Sequence, residues 1–188
     1  MSALPYEGGS DDWLLERARL GDKAAFAELV RRHQNAVFGL ALRLTGDPEL
    51  AADASQEALV RAWRALPGFR GDAALTTWLH RITVNTVWTH RRKARSRRTE
   101  QLDDVAHLLE ASDLQHPVRS LESMELADRI RIALDTLPAG RRAVVVMKDV
   151  YGWTHADISA VLGISIPATK VKLHRARLQL QSLLEDER

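Results

Sequence analysis

Cysteine is missing from the 188-residue sequence, which removes disulfides, zinc thiolate sites and any thiol redox switch within the chain. Missing too is any apolar run near the roughly 18 to 20 residues that a membrane span requires. The opening MSALPYEGGSDD has neither the basic start nor the apolar stretch of a secretion signal, so a cytoplasmic protein is expected. No useful length of period-two alternation is present, no internal repeat, and no paired metal-ligand spacing among the seven His. Neither a sheet, a repeat array nor a metal centre is expected. Charge of one sign is scarce as well: 27 Lys and Arg against 25 Asp and Glu leave a formal net charge of +2. Overall charge therefore says little about partners.

What is present is a globular balance, 45 % hydrophobic and 28 % charged, sufficient to bury a core. The length suits two small domains. Charge is segregated locally. Arg81 to Arg98 holds seven Lys or Arg and no acid, whereas Glu100 to Pro117 holds five acids and no Lys or Arg.

Helical periodicity runs through most of the chain. Ser10 caps a short helix ending at Leu20, and Gly21 closes it. A second run starts from Phe26 with Leu29, Val30, Val37, Ala41 and Leu44 on its apolar positions. A third, Glu49 to Leu66, sets Ala52, Leu59, Trp63 and Leu66 on one stripe and Asp53, Glu57, Val60 and Arg64 on another. After Pro67-Gly68 and a short loop, a long pattern from Ala73 to about Arg97 turns Leu75, Trp78, Leu79 and Ile82 inward. Its other side carries Thr77, His80, Arg81, Val84, Trp88, Arg91 and Arg95, a mixture of cations for a phosphate backbone and an aromatic for stacking. Residues 99–119 read as a flexible, acidic linker with one helical turn at Val105 to Leu109. Four more helical patterns follow, at Leu121 to Leu137, Gly140 to Tyr151, Thr154 to Leu162 and Ser165 to about Leu184. The fold class expected is all-α, with an N-terminal helical bundle over 11–98 and a C-terminal domain over 120–187.

The last two of these patterns have the signs of a helix-turn-helix. Thr154-His155-Ala156-Asp157 opens the first helix as a capping box, and Gly163 sits at the reversal. Ser165 caps the second helix, whose first turn tolerates Pro167. Ile166, Thr169, Leu173, Ala176, Leu180 and Leu183 form its inner side. Ala168, Val171, Lys172 and Arg175 face outward, flanked by Lys170, His174 and Arg177. An acid-free cationic helix of this kind fits a major groove, where Lys and Arg reach guanine edges or phosphates and small apolar groups meet thymine methyls. Arg141 and Arg142, opening the preceding helix, suit phosphate contacts that position the domain.

Six strings stand in order along the chain: Gly21-Asp22 with Phe26 and Leu29; Leu40-Ala41 with Arg43-Leu44-Thr45-Gly46-Asp47; Asp53-Ala54-Ser55-Gln56-Glu57; Phe69-Arg70-Gly71-Asp72; Thr77-Trp78-Leu79 with Arg81-Ile82 and Asn85; and Leu173-His174-Arg175-Ala176-Arg177. In order and spacing they resemble the extracytoplasmic-function sigma factors, the two-domain class of bacterial RNA polymerase specificity subunits. The likeness covers about residues 13 to 184. It implies that the domain over 11–98 binds core polymerase and opens the minus-ten element, and that the domain over 120–187 reads the minus-thirty-five element. Asp53 and Glu57, four residues apart with Gln56 beside them, would form the polymerase-docking face. The loop Phe69, Arg70, Gly71 and Asp72 would capture a flipped base, and Thr77, Arg81, Asn85, Trp88, Arg91 and Arg92 would face the minus-ten strands. Ser165, Ala168, Lys170, Val171, Lys172, Arg175 and Arg177, with Arg141 and Arg142, would face the minus-thirty-five duplex. Pro167-Ala168-Thr169 and Val171 stand where many members have Gly-Thr-Val and a later Ser, so the preferred promoter sequence does not carry over.

The resemblance also implies an anti-sigma partner, often membrane-bound, that holds the factor inactive. No cofactor and no small-molecule substrate are expected, nor a further C-terminal domain. An acid/base role for Asp53 and Glu57 needs a concave pocket, which an exposed helix face does not supply. The alternatives are a dimeric helix-turn-helix regulator binding duplex operators without polymerase, a helical adaptor, and a nucleic-acid hydrolase. An adaptor gives no reason for cations on an outer helix face in each domain, and a hydrolase lacks an evident metal cluster.

Overall fold

A computed structural model describes Tyr6, residues 9–100 and residues 121–185, with side chains described over 9–93 and 128–183. The described elements are helical: α1 (Asp11–Arg19), α2 (Lys23–Thr45), α3 (Pro48–Ala65), a 3-10 turn (Leu66–Gly68), α4 (Leu75–Glu100), α5 (Leu121–Asp135), α6 (Ala139–Val145), a π turn (Val146–Val150), α7 (His155–Leu162) and α8 (Ile166–Glu185). They divide into two compact units, the N-terminal one holding α1 and most of α2, α3 and α4, the C-terminal one holding α5 to α8 together with Arg43–Pro48 at the junction of α2 and α3. The expected helical turn at Val105 to Leu109 lies outside the described residues.

In the N-terminal unit, the start of each of the first two helices is fixed by a polar side chain. Ser10 Oγ accepts from the Trp13 amide at 3.3 Å, with Asp11 and Asp12 in the first turn where the helix dipole favours acids. Asp22 Oδ1 accepts from the amides of Ala24 and Ala25 at 3.0 and 3.1 Å, which is why α2 begins at Lys23, ahead of the first apolar position. Its Oδ2 accepts from Arg17 Nε at 2.9 Å and from the Tyr6 hydroxyl at 3.1 Å, tying α1 to α2. A second tie is buried. Glu28 accepts from Arg31 and Arg32 at 2.7 to 2.8 Å, and Arg32 Nη1 goes on to donate to Gly9 O and Asp11 Oδ1. These guanidinium bonds hold the Glu28 carboxyl down to about 2.

The core of this unit joins Leu14, Ala18, Ala25, Leu29 and Leu66 to Val37, Ala58, Ala62 and Leu79, with Phe26, Trp63, Leu75, Trp78 and Ile82 packed around them. The inner face of α3 is small: Ala51, Ala54, Ser55, Ala58 and Ala62 are buried, which lets the neighbouring helices approach closely. The expected stripe therefore shifts, because Ala52 is exposed and Ala51 takes the inner position. Along α4 the buried Thr83 and Thr86 satisfy their hydroxyls on the carbonyls of Leu79 and Ile82, each at 2.8 Å.

The C-terminal unit packs α6 and α7 against α8. Ala143 to Met147 are buried in succession, as is Trp153. The single helix expected from Gly140 to Tyr151 is instead a short α-helix that widens into the π turn. Thr154 caps α7 by accepting from the Asp157 amide at 3.1 Å, and Gly163 reverses the chain at φ 65°, ψ 37°. Ser165 Oγ accepts from the Ala168 amide at 3.2 Å and opens α8. Thr169, Leu173 and Ala176 are buried beneath α8, while Ile166, expected on the inner side, is 43 % exposed.

Candidate nucleic-acid and polymerase interfaces

On α3, Asp53 and Gln56 are exposed, as a docking face requires. Glu57 is different. It is half-buried, ion-paired with Arg61 one turn on, and its carboxylate stands 2.5 Å from His90 Nε2 on α4. The His90 ring, then Arg61, holds the Glu57 carboxyl below the usual range. Glu57 thus braces α3 against α4 as a charged group, and Asp53 and Gln56 are the members of the trio turned to solvent. His90 belongs to this arrangement and was not singled out from the sequence, because a pairing 33 residues apart has no local signal.

On α4, Arg81, Asn85 and Arg92 are exposed along one stripe, and Thr77, Trp88 and Arg91 are half-buried beside it. Val84, expected on this side, is 2 % exposed and belongs to the core. From Leu75 to Lys93 the helix carries no acidic residue. In the loop that precedes it, Arg70, Gly71 and Asp72 are exposed, with Gly71 at φ 79° in the left-handed region. Phe69 is not part of that exposed set. Its ring is 6 % exposed and packs on Trp78 with centroids 5.0 Å apart, so the expected base contact is withdrawn for this side chain: apolar burial has claimed it.

On α8 the residues expected to face DNA are spread over the outer half of the helix. Lys170, Val171 and Arg175 are exposed, Ala168 and Lys172 are half-buried on one flank, and Ser165 is exposed at the cap. Arg177 is exposed but paired, its Nε donating to Asp149 Oδ2 at 3.0 Å and its Nη2 to Asp149 Oδ1 at 2.5 Å. Arg141 reaches α8 from α6, its Nη1 donating to Gln179 Oε1 at 3.0 Å. Arg142 is the clear departure. It is buried, and its Nε and Nη2 donate to the carbonyls of Leu134 and Asp135 at 2.8 and 2.7 Å, closing the end of α5. A guanidinium spent on the carbonyls of α5 is not presented to a phosphate, so Arg142 leaves the DNA-facing set.

Among the described residues no group of His, Asp or Glu is placed to hold a metal ion, and no helix is long and apolar enough to cross a membrane. The arrangement is one of surfaces: an acidic and amide pair on α3, and cation-bearing outer faces on α4 and α8.

Two family models match, in this order along the chain: sigma-70 region 2 over residues 29–97 and sigma-70 region 4 over residues 127–180. They define a two-domain transcription initiation factor. Relatives narrow the class. The RNA polymerase sigma-H factor of Pseudomonas aeruginosa is 35 % identical, over 93 % of this chain and 94 % of its own length. The ECF RNA polymerase sigma factor SigM of Mycobacterium tuberculosis is 37 % identical, over 93 % of this chain and 85 % of its own length. The sigma factor RpoE of Bartonella quintana, solved in complex with the anti-sigma factor NepR, shares the fold at a TM-score of 0.64 and 24 % identity, over 87 % of this chain and 98 % of its own. The chain belongs to the extracytoplasmic-function group of the sigma-70 family. It is an RNA polymerase sigma factor, a DNA-binding specificity subunit that acts with core polymerase at promoter DNA.

Proposed function

We propose that this sigma factor docks on core polymerase through Asp53 and Gln56 of α3, holds the melted minus-ten strands along Arg81, Asn85, Trp88 and Arg92 of α4 with the Arg70–Asp72 loop, and reads the minus-thirty-five duplex with α8. The observation that carries the reading is the pair of acid-free outer helix faces, α4 from Leu75 to Lys93 and α8 from Ile166 to Leu183, one in each unit. Lys and Arg on such faces attract phosphate, and the exposed Asn85 and Val171 with the half-buried Trp88 supply contacts to bases. In this reading residues 11–98 act as the polymerase-binding and minus-ten domain and residues 120–187 as the minus-thirty-five domain, with the acidic stretch between them as a linker. The chain contributes no bond-making chemistry of its own, because its acidic pair lies on an open helix face and Glu57 is already engaged by His90 and Arg61. It works in the cytoplasm, where an anti-sigma protein covering the polymerase-docking face would hold it inactive; RpoE of the same fold was solved with the anti-sigma factor NepR.

The test is transcription by purified core polymerase with and without the chain on a pool of genomic promoter fragments. Start sites seen only with the chain, and lost in Asp53→Lys, are expected. Absence of initiation together with tight dimeric binding to duplex DNA would instead establish a conventional helix-turn-helix regulator.

A further inference from the structure

From Ile166 to Leu183, α8 carries four cations, Lys170, Lys172, Arg175 and Arg177, and no acid. The fold nevertheless brings it a carboxylate. Asp149, on the π turn that follows α6, grips Arg177 in a two-bond fork from 28 residues away. No helix spacing dictates this pair; it exists because the widened turn places Asp149 beside α8. The side chains of Arg177 and Asp149 are 56 % and 34 % exposed, so the outer edge of the forked guanidinium stays accessible to a ligand. The fork uses two of the five N–H groups of the guanidinium and leaves the others free to donate outward.

We propose that Asp149 is a specificity-determining residue of the C-terminal unit: it cancels the charge of Arg177, which suppresses sequence-independent pull on the phosphate backbone, while fixing the guanidinium so that its outer edge makes a directional contact in the promoter. The proposal rests on α8 facing DNA. A free cation adds to affinity for any duplex through counterion release, whereas a neutralised and oriented one adds only where its geometry is matched.

The experiment measures the affinity of the full-length chain for a random-sequence duplex over a salt series. Asp149→Asn is expected to bind several-fold tighter at low salt, with the slope of log affinity against log salt steeper by about 0.9, the value of one added phosphate contact. That gain should vanish in an Arg177→Gln background, and the double variant Asp149→Asn with Arg177→Gln, unchanged in net charge, should bind random DNA as the parent does while discriminating less between promoter and random duplex. Unchanged or weaker random-DNA binding by Asp149→Asn overturns the inference, as does an equal gain when Arg177 is absent, which is a general charge effect. The double variant keeps the test decisive if the single one folds poorly, since retained promoter discrimination there also overturns it. Lys170→Gln with Arg175→Gln separates the two readings: if removing those charges leaves the salt slope untouched, α8 does not face DNA and both fail; if the slope falls but Asp149→Asn is silent, only the role of Asp149 fails.

Discussion

Phe69 is where the sequence resemblance and the packing of this chain point in different directions, and its truncation discriminates between them. The resemblance places it in a base-capturing loop. In the structure its ring is 6 % exposed, lies 5.0 Å from Trp78 at a tilt of 54°, and its amide donates to Leu66 O at 3.0 Å, closing the 3-10 turn. Phe69→Ala removes the ring and leaves a cavity beside Trp78. Buried Phe to Ala changes cost about 3 to 5 kcal/mol, and the position at the edge of the core, where the loop is able to settle inward, argues for about 3 kcal/mol. For a unit of this size that is a fall in melting temperature of roughly 12 to 24 °C. The chain's Trp fluorescence is a suitable probe in urea, because Trp13, Trp63, Trp78 and Trp88 all lie in the N-terminal unit and only Trp153 in the other. Phe69→Leu should recover most of the loss, since it restores apolar volume without the ring. If Phe69→Ala instead leaves the urea midpoint within error of the parent while promoter opening collapses, the ring acts on DNA and not on the core.

Two further outcomes follow from the buried polar groups. The Glu28 carboxyl, held at about 2 against an ordinary 4.5, contributes stability that is complete above the unfolded value and is lost as pH falls towards 2; urea midpoints of the N-terminal unit should therefore decline between about pH 5 and pH 2, and Glu28→Gln should flatten that decline. Arg142→Ala removes the guanidinium bonds to the Leu134 and Asp135 carbonyls, costing about 2 kcal/mol and speeding hydrogen exchange at the end of α5. Because Arg142 closes α5 and does not face DNA, a stability-matched comparison at low temperature should leave the salt slope of DNA binding unchanged, in contrast to Lys170→Gln.

The features legible in the sequence are those settled within a few residues of chain. Ser10, Thr154 and Ser165 are caps because a short side-chain oxygen just ahead of a helix meets an orphan amide whatever the helix later packs against, and Gly163 stands at the reversal because only a residue without a Cβ takes φ 65° freely. The apolar stripes differ from their simple periodicity for another reason. Alanine carries little weight in an apolar pattern, so the inner face of α3 was assigned through Ala52 when close helix approach selects Ala51, Ala54 and Ala58. Val84 and Ile166 were exchanged between inside and outside because each sits at the margin of its stripe, where the position of the neighbouring helices decides.

What the sequence does not carry is which charges meet across elements. Arg142 was grouped with Arg141 as a phosphate contact because the two are adjacent and cationic, yet the end of α5 supplies carbonyls to one while Gln179 engages the other. In the same way Glu57 met His90 and Asp149 met Arg177 through helix packing and a π turn with no sequence signature. These pairings bear directly on function, because a cation already satisfied within the fold contributes differently to DNA than one left in solvent. A count of Lys and Arg on α8 therefore overstates its unspecific grip, because Arg177 is already paired with Asp149. The family and its two domains follow from motifs and their order; how strongly each face holds nucleic acid follows only from which charges the fold has already paired.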